Sequence, residues 1–171
     1  AEGIGAVQWL GINLSGPDRV PSRHTGSVAS ANLLQLLRTQ PMLGRWFTEE
    51  ETRPGQPLFV VLSHSLWQEE FGGLPNALGR TVNVNGEPAT IIGIMPAKFS
   101  FPGYERLWIN LRPAPVDPRE RPIDRVELFA RLKPGVEPDQ ALAEFNTIAG
   151  SLVKLWPETN QGFERMNLQR F

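Results

Sequence analysis

The sequence predicts an α+β domain, and three observations predict it. Asn85-Gly86 joins two β-rich runs, a long amphipathic stretch begins at Pro138, and short apolar runs such as Leu58-Phe59-Val60-Val61-Leu62 alternate with turns marked by Gly and Pro. An Asn-Gly pair favours the type I′ turn, whose twist matches the strands on either side. Apolar positions at helical spacing mark a helix packed on one side, whereas apolar runs of five residues have strand length.

Each element follows from local chemistry. Residues 6–14 form a first strand with Leu10, Ile12 and Leu14 on one face. Ser15-Gly16-Pro17-Asp18 is a turn by composition, and residues 19–30 alternate weakly as a second strand. Ser30 is placed to cap a short helix over residues 31–38, whose Leu33, Leu34, Leu36 and Leu37 make an apolar face. Pro41-Met42-Leu43-Gly44-Arg45 breaks that helix, and Trp46-Phe47 anchors the chain again. Thr48 and Glu51 have the spacing of a capping box. Arg53-Pro54-Gly55-Gln56-Pro57 is a loop, with a lobe boundary placed nearby.

Residues 59–62 then read as a buried strand entering a helix capped by Ser63 or Ser65. Trp67 and Phe71 share a face of that helix, and Gly72-Gly73 ends it. The hairpin pairs residues 81–84 with 89–94; Pro88 cannot donate to a ladder, so its amide side belongs at an edge or a bulge. Residues 107–111 are another short strand. Residues 113–122 carry four prolines and read as an extended connector. Residues 126–132 alternate as a strand, and Lys133-Pro134-Gly135 turns the chain. Pro138 suits the first position of the longest helix. Ala141, Leu142, Phe145, Ile148, Ala149, Leu152 and Trp156 line one side of it, and Pro157 stops it. Residues 165–171 read as a closing strand.

Composition narrows the function. The 171 residues are 40% hydrophobic and 20% charged, with a formal net charge of -1, which offers no field for nucleic acid. Cysteine is absent, which removes disulfides, thiolate catalysis and Cys-based zinc sites together. No run approaches the roughly 20 apolar residues that span a bilayer. Ala1-Glu2-Gly3 has neither the basic start nor the apolar core of a signal peptide.

The polar motifs have structural explanations. Ser63-His64-Ser65 lacks the G-x-S-x-G context of a hydrolase, and neighbouring helical residues diverge, so the serines read as caps. His24 and His64 are the only histidines, with no metal-binding spacing around either. Glu49-Glu50-Glu51 suits a helix start. Gly3-Ile4-Gly5 has no third glycine and no Walker motif accompanies it, so ATP-driven work must be powered elsewhere. Trp9, Trp46, Trp67, Trp108 and Trp156 are scattered over five elements, where core packing accounts for most of them. No catalytic, cofactor-binding or metal residue is therefore assigned, and no cofactor is expected.

The informative pattern is a series of turns and anchors. It runs through Ser30-Ala31-Asn32-Leu33-Leu34, Pro41-Met42-Leu43-Gly44-Arg45-Trp46-Phe47-Thr48-Glu49-Glu50-Glu51 and Val60-Val61-Leu62-Ser63-His64-Ser65-Leu66-Trp67-Gln68. It continues through Leu78-Gly79-Arg80-Thr81-Val82, Asn85-Gly86-Glu87-Pro88, Ile91-Ile92-Gly93-Ile94-Met95-Pro96, Leu107-Trp108 and Ala130-Arg131-Leu132-Lys133-Pro134-Gly135-Val136. In this order and spacing the chain, over residues 20–171, resembles the MacB-like periplasmic core domain of FtsX-type ABC permeases, the duplicated orphan subgroup in particular.

The resemblance implies a two-lobed domain on the periplasmic face of the bacterial inner membrane. A porter-like α/β lobe would come from residues 1–55 and 122–171, with a β-rich lobe inserted over residues 56–121. It implies a non-enzymatic module that transmits conformational change and meets substrate or a partner protein. Transmembrane helices of the same permease would anchor it, with an ATPase subunit, a second permease copy and a periplasmic adaptor as candidate partners and no nucleic acid. Residues 53–57 and 113–122 would be its hinges. The alternative is a stand-alone extracytoplasmic ligand- or peptide-binding domain using Trp9, Trp46 or Trp108; a hydrolase using Ser63, His64 or the acidic run is a third class.

Overall fold

In the structure, a computed structural model, residues 2–16, 19–113, 126–160 and 167–168 are described. The chain divides into two compact units. The larger comprises Ile4–Ala114 with Val126–Phe129, and the smaller Ala1–Gly3, Pro115–Arg125 and Ala130–Phe171.

The larger unit is a mixed sheet. Its strands are β1 (Gly3–Gly16), β2 (Arg19–Ala29), β3 (Leu43–Gly44), β4 (Leu58–Leu62), β5 (Thr81–Val84), β6 (Glu87–Ile94) and β7 (Leu107–Asn110). Its helices are α1 (Leu33–Leu37) and α2 (His64–Phe71), with single 3-10 turns at Glu50–Thr52 and Pro75–Ala77. The order is β2-β7-β4-β6-β5-β1, and β1 also pairs with β2, so the pairings close into a circuit. β8 (Glu127–Arg131), whose first three residues belong to this unit, comes after β1 in that order.

Alternation along the strands puts apolar side chains on both faces. In β4, Leu58, Val60 and Leu62 join one buried cluster, completed by Leu66, Trp67 and Phe71 of α2 and by Ile12, Leu14, Ile91 and Ile109. Val61 joins the other, with Phe59 packed against it, alongside Leu33 and Leu34 of α1, Trp46, Phe47 and Trp108. A strand buried on both faces reads as an unbroken apolar run, which is why Leu58–Leu62 has no polar residue.

The hairpin forms as expected. Asn85 and Gly86 take φ of 51° and 88°, and the two-residue loop starts β6 at Glu87, two residues earlier than the β-rich run suggested. Pro88 lies one residue before β4 joins the ladder at Leu58↔Ala89, so its missing donor costs no rung on that side. The weak second strand is also present as β2.

Helix α1 differs from expectation. It starts at Leu33 rather than residue 31, and Ser30 does not cap it. The Ser30 hydroxyl instead accepts from the Ala6 amide (3.0 Å) and lies 2.8 Å from Asn32 Oδ1, so it ties β1 to the helix entry. The loop over residues 53–57 is pinned by side chains from β7 and just beyond it, which argues against its use as a hinge. The sheet also crosses the expected lobe boundary at 55/56: β2 pairs with β7 from Gly26↔Leu107 to Ala29↔Asn110, and β1 with β5 at Leu14↔Val84 and Ser15↔Asn83. The compact units therefore divide the chain differently from lobes 1–55 with 122–171 and 56–121.

The smaller unit is built on α3 (Pro138–Leu155) and α4 (Pro157–Asn160). Pro138 occupies the first turn, and Glu137 and Gln140 form a reciprocal capping box. Pro157 ends α3 and opens α4. The expected one-sided packing is partial: Ala141 and Ala149 are buried, whereas Ile148, Leu152 and Trp156 are exposed. The apolar stripe is broader than the side that is covered. The expected connector at 113–122 and the closing strand at 165–171 lie, apart from Pro113, Asn167 and Leu168, outside the described residues. No described helix is long and apolar enough to cross a membrane.

Candidate functional site

Ser63 is the N-cap of α2, with φ -67° and ψ 157°, and its Oγ accepts from the Leu66 amide (3.2 Å). Ser65 Oγ lies 3.1 Å from Ser63 Oγ, while the His64 ring sits edge-on to Trp67 at 5.5 Å. The geometry brings His64 to an aromatic partner and the two hydroxyls to each other, so capping and packing account for all three residues.

A different polar cluster forms that sequence reasoning missed. Ser22 and His24, two apart on β2, meet Glu70 of α2. Ser22 Oγ lies 2.8 Å from His24 Nε2 and 3.1 Å from Glu70 Oε1, and Nε2 lies 2.9 Å from the same carboxylate oxygen. A carboxylate can only accept, so the short Nε2–Oε1 distance assigns a proton to Nε2. That nitrogen cannot also take a proton from Ser22. A catalytic serine needs one ring nitrogen toward the nucleophile and the other toward the acid; here both contacts fall on Nε2, and the cluster fastens β2 to α2. The strand spacing of Ser22 and His24 was visible in the sequence, but their partner stands 46 residues beyond His24 and carries no local signal. Beside it, Arg106 bonds Glu69 and holds that exposed carboxyl below the usual range.

The acidic run is similarly committed. Glu51 takes two bonds from Arg45 (2.6 and 2.8 Å) and one from the Thr48 amide (2.9 Å), while Thr48 Oγ1 accepts from Glu51 N (3.3 Å). The capping box is thus present, although it heads a single 3-10 turn. The Arg45 bonds hold the Glu51 carboxyl below its ordinary range despite some desolvation. Gly3-Ile4-Gly5 lies inside β1 rather than before a helix, so it forms no phosphate cradle. Among the described residues no three His, Asp or Glu side chains gather as metal ligands.

Of the tryptophans, Trp46, Trp67 and Trp108 are core residues, and each indole N–H bonds a backbone carbonyl: Ser30, Leu74 and Phe101. Trp9 is 44% exposed, but its N–H donates to buried Glu105 (2.6 Å), whose other oxygen accepts from the Gly103 amide. Trp46 and Trp108 thus pack together in the core, with ring centroids 6.3 Å apart, while Trp9 is tied to Glu105.

The convergent polar groups instead build the turns. Gly44 has φ of 71°, and a Cβ there would stand 2.1 Å from the Ile92 carbonyl oxygen; a Cβ on Gly93 would stand 2.3 Å from that of Arg45. Two separate sequence runs, 41–45 and 91–95, thus lie against one another through two glycines. Asn110, 1% exposed, accepts from the Phe59 amide (2.8 Å) and donates to the carbonyls of Glu51 (2.6 Å) and Pro57 (3.1 Å). Arg112 donates to the Gln56 carbonyl and, with two bonds of 2.8 Å, to Glu87. Together they hold the loop over residues 51–59 to the sheet.

Residues 4–148 match the family model described as MacB-like periplasmic core domain. A macrolide export ATP-binding/permease protein MacB of Chlorobium luteolum is 40% identical over 58 residues, which is 34% of this chain and 8% of that protein. The chain therefore spans a small part of that relative. Among solved structures, the periplasmic region of MacB from Actinobacillus actinomycetemcomitans has a TM-score of 0.61 at 18% identity, over 87% of this chain and 66% of that one. A permease-protein domain from Porphyromonas gingivalis has a TM-score of 0.62 at 19% identity, over 86% and 70%. At these identities the likeness is one of fold.

Proposed function

Because this chain belongs to the MacB-like periplasmic core domain family, we propose that it serves as the non-catalytic extracytoplasmic part of an ABC-type permease. It passes conformational change from the membrane to substrate or to a partner protein. The observation that carries this reading is the family match over residues 4–148, which takes in nearly all of the larger unit and part of the smaller. A module that is pushed must move without deforming. Two buried clusters on opposite faces of one sheet give it that property, because close-packed interiors transmit strain.

In this reading, transmembrane helices of the parent permease anchor the domain at the outer side of the inner membrane. A cytoplasmic ATPase supplies the energy, and a second permease copy and a periplasmic adaptor are its further partners. Rigid-body motion is assigned to the sheet unit as a whole, since a boundary at residue 55 would have to break the β2–β7 ladder.

The absence of cysteine makes the test direct. Tyr104 is 92% exposed, so Tyr104→Cys in the whole parent protein, freed of any other cysteine, offers a single reactive thiol. A membrane-impermeant maleimide should label it in intact spheroplasts. Labelling only after permeabilisation refutes the extracytoplasmic placement. A spin label at the same thiol should report a distance between two copies that changes with nucleotide state; an unchanged distance refutes the coupling role.

A further inference from the structure

No further inference is drawn: the strongest candidate, the exposed apolar stripe of Ile148, Leu152 and Leu155 along α3, is a helix face, and nothing in the structure shows what covers it.

Discussion

Replacing Asn110 with alanine tests whether a buried amide, rather than apolar contact, holds the loop over residues 51–59. The side chain makes three hydrogen bonds to backbone: Phe59 N–H at 2.8 Å, the Glu51 carbonyl at 2.6 Å and the Pro57 carbonyl at 3.1 Å. Each is worth about 1 kcal/mol net, and an orphaned buried group costs ~1–3 kcal/mol. Asn110→Ala should therefore destabilise the domain by ~3 kcal/mol, read as a lower urea midpoint with unchanged slope in tryptophan fluorescence. Asn110→Asp sharpens the test. It keeps the acceptor for Phe59 but turns a second oxygen toward two carbonyls, which disfavours the charged carboxylate and raises its folded pKa. Its defect should be fully present at neutral pH and shrink as pH falls through that raised pKa, since a protonated carboxyl can donate. A loss below about 1 kcal/mol for Asn110→Ala would mean the loop is held by other contacts, and the reasoning fails.

Three further outcomes follow from the same contacts. Gly44→Ala should cost more than ~3 kcal/mol, because φ is positive and the new methyl meets the Ile92 carbonyl; Gly55→Ala, also at positive φ but in open space, should cost only ~1–2 kcal/mol in the same urea assay. Glu51 has a folded pKa below its unfolded value, so its contribution is present above about pH 4.3 and is lost as pH falls through the folded pKa. Glu51→Gln should accordingly lower the urea midpoint at neutral pH and flatten its fall on the acid side. Ser63→Ala should cost about 1 kcal/mol in the unfolding curve, as loss of a cap does, and leave transport by the parent protein unchanged.

Local chemistry was legible where one segment contains its own reason. The Asn85-Gly86 hairpin, the Ser63 cap, the Gly72 stop and Pro138 at the start of α3 each depend on residues within a few positions. What lay hidden depends on partners distant in sequence. Ser30 reads as a cap, yet the competing amide of Ala6, 24 residues earlier, takes its hydroxyl. Asn110 reads as the end of a strand, and its three partners lie 51, 53 and 59 residues away. Glu70 is one glutamate on the polar side of α2 until β2 brings His24 to it. The glycines of 41–45 and 91–95 were recognisable as turn points, but their mutual contact appears only when β3 pairs with β6, with Leu43 opposite Ile94 and Gly44 opposite Gly93.

The circuit of strands is not equally strong around its circumference. β1 shares a long run of rungs with β2, from Val7↔Ala29 to Leu14↔Ser22, but meets β5 at only Leu14↔Val84 and Ser15↔Asn83. The Asn85 side chain and amide add two bonds to Asn13 beside that junction. Opening between residues 13–15 and 83–85 would break those two rungs and the two Asn13–Asn85 bonds, and would part Ile12 and Leu14 from Val82 and Val84 of the same buried cluster. Load on the first strand is thus carried mainly by its neighbour in sequence, across nine rungs rather than two.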